Sequence, residues 1–179
     1  MDGNIPFHRL PGVLRQRPHA TAHIHGSNTY PTISGRVCFY QLSSGVLVAA
    51  QVAGLPNATT GDPHRVFAFH IHSGSQCTGT QADPFADALT HYNPGGVSHP
   101  NHAGDLPPLF GNHGYAFQVF FTDRFSVREI IHKTVIIHSG PDDFTSQPAG
   151  NAGEKIACGQ IEDLRCGFDL KRTCSGANQ

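Results

Sequence analysis

The sequence has no run that approaches the length of a membrane-spanning helix, about 20 apolar residues. Its N-terminal stretch, Met1 to Arg17, also lacks the continuous apolar segment of a secretory signal. Charged residues are scarce, at 14%, and the 12 Lys and Arg residues are scattered and balanced by 13 Asp and Glu residues. Because a nucleic-acid binder needs clustered cations, we expect no nucleic-acid partner. We also expect no membrane partner, and a cytoplasmic location by default, or an extracytoplasmic one if a signal was trimmed.

Glycine and proline are plentiful, with 20 and 13 residues in a chain of 179, and this composition disfavours a bundle of long helices. Apolar segments are short and separated by Gly, Pro, Asn and Asp, which is typical of an all-β sandwich or barrel. One short helix is predicted where Ser126 and Glu129 have the spacing of a capping box. The predicted strands lie near 20–26, 31–41, 45–54, 64–72, 114–122, 132–138 and 156–161.

Histidine is unusually frequent, since its 13 residues outnumber Lys and Arg together. Metal binding is the leading explanation, and a surface composition without a role is the alternative. His70 and His72 end an apolar strand, and the two-residue period of a strand places both imidazoles on one face. An isolated pair of this kind more often lies on the protein surface without a ligand role than it binds a metal.

A second group of histidines follows between Ser73 and Phe110. This segment is longer than a loop that only connects two strands in a compact domain, and such long loops usually carry a function. Three imidazoles and a carboxylate there make a full tetrahedral zinc set without an open position: His91, His99, His102 and Asp105. His138 ends another apolar run and, with the first pair, supplies imidazoles of the kind that copper accepts. One histidine could bridge the two metals. Metallo-hydrolase and cupin patterns fit poorly, because the residues after His72 are Ser73-Gly74-Ser75 and the first glutamate is Glu129.

With these residues in view, the sequence closely resembles the copper/zinc superoxide dismutase family, bacterial-like, from about Thr21 to Ile161. The resemblance implies an all-β, eight-stranded Greek-key β-barrel with long metal-binding and electrostatic loops. The stretches that carry it are Phe69-His70-Ile71-His72, His91-Tyr92-Asn93-Pro94, His102-Ala103-Gly104-Asp105-Leu106, Val135-Ile136-Ile137-His138 with Asp142-Asp143, and Gly150-Asn151-Ala152-Gly153 leading to Ala157-Cys158-Gly159.

The resemblance also implies a role for each site residue. It makes the copper ligands His70, His72, His91 and His138, and the zinc ligands His91, His99, His102 and Asp105. His91 then bridges the metals and passes a proton. Asp142 hydrogen-bonds His70 and His99, rather than being a simple turn residue. The implied function is an antioxidant oxidoreductase that converts superoxide to dioxygen and hydrogen peroxide, with Lys155 attracting the anion. A non-catalytic copper/zinc storage protein is the alternative.

Five cysteines are an odd number, so at least one is not paired within the chain. The resemblance pairs Cys77 with Cys158, a closure that contributes about 4 kcal/mol in the chain-entropy account. Cys38, on the strand Arg36–Tyr40, is expected to be a buried small hydrophobe rather than a reactive thiol. We expect an N-terminal extension over 1–19, the barrel over 20–161 and a polar tail over 162–179, in which Cys166 and Cys174 could pair. A homodimer is also compatible with the resemblance.

Several positions depart from the family pattern. Only Pro100 and Asn101 separate His99 from His102, which shortens the zinc loop. Lys155 stands where the family usually has an arginine, and it lacks the planar fork of a guanidinium. The glycine expected shortly before His91 is absent, because Ala88-Leu89-Thr90 stand there. His19, His23 and His25 match no ligand of the family, and we expect the latter two to face outward rather than to form a further metal site.

Overall fold

The computed structural model describes residues 10–57 and 64–164, which form one antiparallel sheet, two short α-helices and a 3-10 helix at Ala86–Ala88. Helix α1 covers Leu10–Leu14 and α2 covers Val127–Ile130. None of the helices in these two ranges has the length and apolar character needed to cross a membrane. The described strands are β1 Ala20–Gly26, β2 Ser34–Leu42, β3 Gly45–Ala53, β4 His64–Phe67, β5 Phe69–His72, β6 Leu109–Asn112, β7 Tyr115–Thr122, β8 Thr134–His138 and β9 Lys155–Asp163.

The sheet closes on itself into a barrel. Its strand order is β4-β6-β7-β3-β2-β1-β9-β8-β5, and the first and last members are consecutive in the chain. Only Ala68 separates them; its amide donates to the carbonyl of Gly140 and its carbonyl accepts from the amide of His138. One continuous segment therefore pairs with β6 before this residue and with β8 after it. Counted as one strand, β4 and β5 complete the expected eight-stranded Greek-key barrel.

Most predicted strands are present with small shifts at their ends, and two differences have local causes. The predicted strand 64–72 is divided at Ala68, where the chain changes neighbours to close the barrel. Strand β6 was not predicted, because its four residues include Gly111 and end a long loop. A tight turn joins it to β7, with positive φ at both His113 and Gly114, as a two-residue hairpin turn requires.

Alternating side chains of the strands form the interior of the barrel. In β3, for example, Val46, Val48, Ala50 and Val52 lie on one face of the strand and are all fully buried, which removes their apolar area from water. Helix α2 has the predicted capping box, since the amide of Ser126 donates to the Glu129 carboxylate at 2.7 Å. The hydroxyl of Ser126 donates to the same carboxylate, and this hydrogen bond, followed by that of the amide, lowers the pKa of Glu129.

The expected disulfide is present among the described cysteines. Cys77 and Cys158 join the long loop after β5 to strand β9 across 81 positions of sequence. Cys38 is a free thiol of intermediate exposure rather than a buried one as expected, with its sulfur 4.0 Å from the Thr21 hydroxyl. Cys166 and Cys174 lie outside the described residues, as does most of the predicted tail. The domain boundaries stay predictions; β9 continues two residues past the expected end of the barrel.

Candidate metal centre

Two clusters of possible metal ligands lie side by side in the described part of the chain. In each cluster the ligand atoms lie within 4.8 Å of one another, and His91 belongs to both. We call them the four-histidine cluster, formed by His70, His72, His91 and His138, and the mixed cluster, formed by His91, His99, His102 and Asp105. The fold therefore brings together every ligand that the sequence predicted.

Strand geometry places the four-histidine cluster. His70 and His72 alternate with buried apolar residues along β5, which pairs with β8. His138 ends β8 next to the bend at Ala68, and its amide donates to the Ala68 carbonyl at 3.0 Å. His91 is brought to β5 by an isolated bridge to His72. The closure of the barrel thus delivers imidazoles from three separate segments to one point.

Each imidazole of the four-histidine cluster has one buried ring nitrogen without a hydrogen-bond partner: His70 Nδ1, His72 Nε2, His91 Nε2 and His138 Nε2. An unpaired buried polar atom costs stability, and a metal ion satisfies it. The other nitrogens are engaged. His72 Nδ1 donates to the Leu89 carbonyl at 2.9 Å and His138 Nδ1 donates to the Gly153 carbonyl at 3.1 Å. This pattern fixes the tautomers and leaves one lone pair per ring for a metal.

The same four-histidine cluster favours neutral imidazoles. Burial, followed by the neighbouring imidazoles His91 and His138, lowers the pKa of His70 to about 2. Burial also lowers the pKa of His72 well below its usual value and that of His138 to about 4; for His138 the Gly153 carbonyl opposes the shift, while His91 and Lys155 add to it. Because only a neutral imidazole can bind a metal, these side chains are competent ligands near pH 7.

The mixed cluster converges on the carboxylate of Asp105. One oxygen lies 2.8 Å from His91 Nδ1 and 3.3 Å from His102 Nδ1, and the other lies 3.1 Å from His99 Nδ1. Burial raises the pKa of Asp105, but its hydrogen bond with His91 and the surrounding imidazoles more than offset this and hold it below its usual value. An ionised carboxylate with three imidazole nitrogens is a donor set that fits tetrahedral zinc.

Asp142 links the two clusters. Its carboxylate accepts hydrogen bonds from His70 Nε2 and His99 Nε2, both at 2.9 Å. Gly150, at a φ of +65°, packs so closely against this carboxylate that a Cβ there would collide with it. The predicted hydrogen-bonding role of Asp142 is therefore matched by its position in the structure.

Two side chains that the sequence did not single out hold the shortened link between His99 and His102. One nitrogen of Arg124 donates to the carbonyls of Pro100 at 3.1 Å, His102 at 3.2 Å and Asp105 at 3.4 Å. Gln147 pairs with the backbone of His99, donating to its carbonyl at 2.7 Å and accepting from its amide at 3.1 Å. The tight turn of the zinc loop is therefore fixed from two sides.

The family pattern has a glycine shortly before His91, and in this chain Leu89 lies in that stretch. Its φ of +63° lies in the region that glycine favours, and its side chain is 58% exposed. The conformation directs the Leu89 carbonyl to His72 Nδ1. A non-glycine residue thus adopts an unfavourable backbone conformation to orient a ligand.

A cleft of about 890 Å³ opens over the clusters and is lined by His72, His91, His102 and His138. Among the described residues that line it, the charged side chains other than histidine are Asp83, Glu154 and Lys155. Lys155 donates to the Asp83 carboxylate at 2.7 Å and to the Phe85 carbonyl at 3.1 Å. The sequence placed Lys155 at the site but gave no signal for its partner, which is 72 residues away.

The remaining predicted histidines lie away from the clusters. His23 and His25 are exposed on one face of β1, as expected. His19 Nδ1 accepts a hydrogen bond from the amide of Gln41 at 3.1 Å. No third group of metal-ligand type is found in residues 10–57 and 64–164.

Known proteins resemble this chain in both sequence and fold. Residues 33–161 match the family described as copper/zinc superoxide dismutase. Superoxide dismutase [Cu-Zn] 2 of Aquifex aeolicus is 36% identical over 78% of this chain and 85% of its own. Superoxide dismutase [Cu-Zn] of Legionella pneumophila is 30% identical over 79% of this chain and 86% of its own. The Cu/Zn superoxide dismutase structure from Brucella abortus shares the fold with a TM-score of 0.68, at 24% identity, over 80% of this chain and 99% of that one.

We predict that Arg124→Gln weakens zinc retention by about tenfold, the lower range for residues that orient metal ligands. The shorter amide cannot reach all three carbonyls of the zinc loop, so the loop gains freedom when it must hold the metal. Competition with a chelator, followed by mass spectrometry of the zinc that remains, measures the effect. Arg128→Gln on α2 removes an equally exposed cation and is the matched control. Equal zinc affinity in the two variants would contradict the role of Arg124.

Proposed function

The chain belongs to the copper/zinc superoxide dismutase family, and it is a copper- and zinc-dependent superoxide dismutase in which, we propose, the two clusters carry the activity. The four-histidine cluster binds copper and the mixed cluster binds zinc. The observation that supports this assignment best is the set of buried imidazole nitrogens without partners, one on each residue of the four-histidine cluster. All-imidazole ligation suits copper, and a closed set of three imidazoles and a carboxylate suits structural zinc.

When bound, copper supplies the one-electron oxidation and reduction that convert superoxide to dioxygen and hydrogen peroxide. The residues of the chain orient and protonate. Asp142 and the carbonyls of Leu89 and Gly153 hold the tautomers of three ligands. His91 lines the cleft and directs Nδ1 to the mixed cluster and Nε2 to the other cluster. Nε2 of His91 would hold a proton only when it is not bound to the metal, and from its place in the cleft it would then donate that proton to the reduced substrate.

A storage protein on the same barrel is the alternative, and it is not favoured. The family match and the curated relatives named above are superoxide dismutases. The open cleft over His72, His91 and His138 gives a small substrate access to the ligands, whereas storage requires only retention of the metal. The site chemistry, more than the fold, supports the enzyme.

We predict that the protein loaded with one copper and one zinc per chain accelerates superoxide decay, and that His138→Ala abolishes both copper binding and this activity. The substitution removes one of four imidazoles, so the copper set is incomplete. Pulse radiolysis measures the decay, and mass spectrometry measures both metals. His23→Ala on the exposed face of β1 is the control and should change neither. A fully loaded wild-type protein without activity would refute the proposed function.

We propose Lys155 as the residue that attracts and docks the anion. It is the only lysine or arginine among the described residues that line the cleft. Its ammonium group is close enough to the clusters to contribute to the lowered pKa of His138. A cation at the entrance to a site raises the encounter rate of an anionic substrate.

Lys155→Glu is therefore expected to lower kcat/KM by at least about tenfold at low ionic strength. Lys155→Arg should stay within about twofold of wild type, because the cation is kept. Arg128→Glu makes the same change of charge on α2, away from the cleft, and controls for net charge. Rates are compared at 0.01 M salt, where the Debye length is about 30 Å. Equal rates for Lys155→Glu and wild type would exclude the guiding role and leave the metal assignment intact.

We also propose that the chain forms a homodimer. Strands β6 and β7 expose four aromatic side chains, namely Phe110, Tyr115, Phe117 and Phe121, and clustered exposed aromatics are enriched at protein interfaces. Sedimentation velocity should give a mass near twice the 19.2 kDa of one chain. Phe117→Asp should yield folded monomers, because Phe117 is 61% exposed in the single chain and contributes little to its core. A wild-type monomer at high protein concentration would refute this assembly.

A further inference from the structure

The ammonium group of Lys155 is held by one segment of the disulfide loop. It donates to the Asp83 carboxylate at 2.7 Å and to the Phe85 carbonyl at 3.1 Å. The Lys155 side chain is 15% exposed, whereas that of Asp83 is 44% exposed. The carboxylate is thus the more solvent-facing member of the pair, and both residues line the cleft.

Asp83 is fixed in place by its own segment. Its second carboxylate oxygen accepts from the amide of Phe85 at 3.1 Å, and its amide donates to the Thr80 hydroxyl at 3.1 Å. Thr80 returns a hydrogen bond from its amide to the Asp83 carbonyl at 2.8 Å. The same loop is bound to β9 through Cys77 and Cys158. The pair therefore joins two anchored elements, and little rotamer freedom remains to be lost when it forms.

The side chains that line the cleft do not by themselves favour an anion. Lys155 shares the cleft with two carboxylates, Asp83 and Glu154, among the described residues that line it. At close range a carboxylate cancels much of the field of an ammonium group, so a distant superoxide anion encounters a pair rather than a cation. Because Asp83 is partly exposed, its effect on an approaching anion is screened by salt.

We propose that Asp83 determines the anion response of the site: it fixes the Lys155 ammonium over the cleft and cancels its charge, so that superoxide enters more slowly than Lys155 alone would allow. This inference rests on the proposed function of Lys155 as the docking cation. Asp83 contacts neither a metal ligand nor the reacting atoms and is a positioning residue.

Two substitutions separate the charge of Asp83 from its hydrogen bond. Asp83→Asn keeps an oxygen that accepts from Lys155 and removes the negative charge. It should raise kcat/KM for superoxide about threefold at 0.01 M salt and make the rate fall more steeply as salt increases. Asp83→Ala removes the charge and the acceptor together, and should give a smaller gain because the ammonium is no longer fixed. Asp87→Asn is the matched control, since Asp87 lies in the same loop, accepts from Thr78 and does not line the cleft.

Lys155→Met is combined with wild-type Asp83, Asp83→Asn and Asp83→Ala to separate the charge of Asp83 from its hold on the ammonium group. The gain from Asp83→Asn should persist without Lys155, because the field of the carboxylate adds to that of the ammonium group. The difference between Asp83→Asn and Asp83→Ala should vanish there, because the hydrogen bond acts only through Lys155. Loss of the gain in the Lys155→Met background, or a difference between the two variants that remains there, would overturn the proposal. Affinity for azide, a small anion, is measured in parallel on protein of verified copper and zinc content, and should rise about threefold in Asp83→Asn.

The outcomes distinguish failure of this proposal from failure of the function on which it rests. Inactive wild-type protein refutes the dismutase function, and unchanged activity in Lys155→Met refutes the docking role. If Lys155→Met is slower than wild type, but Asp83→Asn is no faster and its salt dependence is unchanged, the proposal for Asp83 alone is wrong. A slower Asp83→Asn protein with full metal content would likewise overturn it.

Discussion

The two clusters depend on one buried carboxylate. Asp142 accepts hydrogen bonds from Nε2 of both His70 and His99, so each ring can present only its Nδ1 to a metal. The three residues come from separate parts of the chain, namely β5, the long loop and the segment after β8. Gly150 makes space for this carboxylate, because a Cβ at that position would collide with it. A single acceptor therefore fixes the orientation of one ligand in each cluster.

The fold could be predicted largely from local pattern, because strands that cover a single core alternate in burial and end at glycine, proline and asparagine. What local pattern could not supply was the change of partner at Ala68, since a strand that leaves one neighbour for another keeps the same apolar residues. Strand β6 was missed for a related reason: its pairing with β4 and β7 stabilises four residues whose own propensity is weak. The His113-Gly114 turn was the available signal.

The ligands of the candidate site were predictable because strand spacing and ordered motifs mark them, whereas the residues that hold those ligands were not. Arg124 acts on main-chain carbonyls of the zinc loop, and carbonyls are common to every residue, so no sequence pattern identifies the contact. Asp83 reaches Lys155 across 72 positions of sequence. Departures from the family pattern were more informative. Arg124 holds the two-residue link after His99, and the lysine at position 155 pairs with Asp83.

The loop between β5 and His91 connects the redox state of the cysteines to the four-histidine cluster. Its attachments include the disulfide from Cys77 to Cys158 in β9, the contacts of Asp83 and of the Phe85 carbonyl with Lys155 at the start of the same strand, and the hydrogen bond from His72 to the Leu89 carbonyl. Leu89 can hold its unfavourable backbone conformation only while the surrounding loop is fixed, because an isolated leucine would relax from a φ of +63°. The disulfide thus does more than reduce the entropy of the unfolded chain. It keeps the Leu89 carbonyl, which orients His72, in place. It also holds the segment with Asp83 in position beside β9, which carries Lys155.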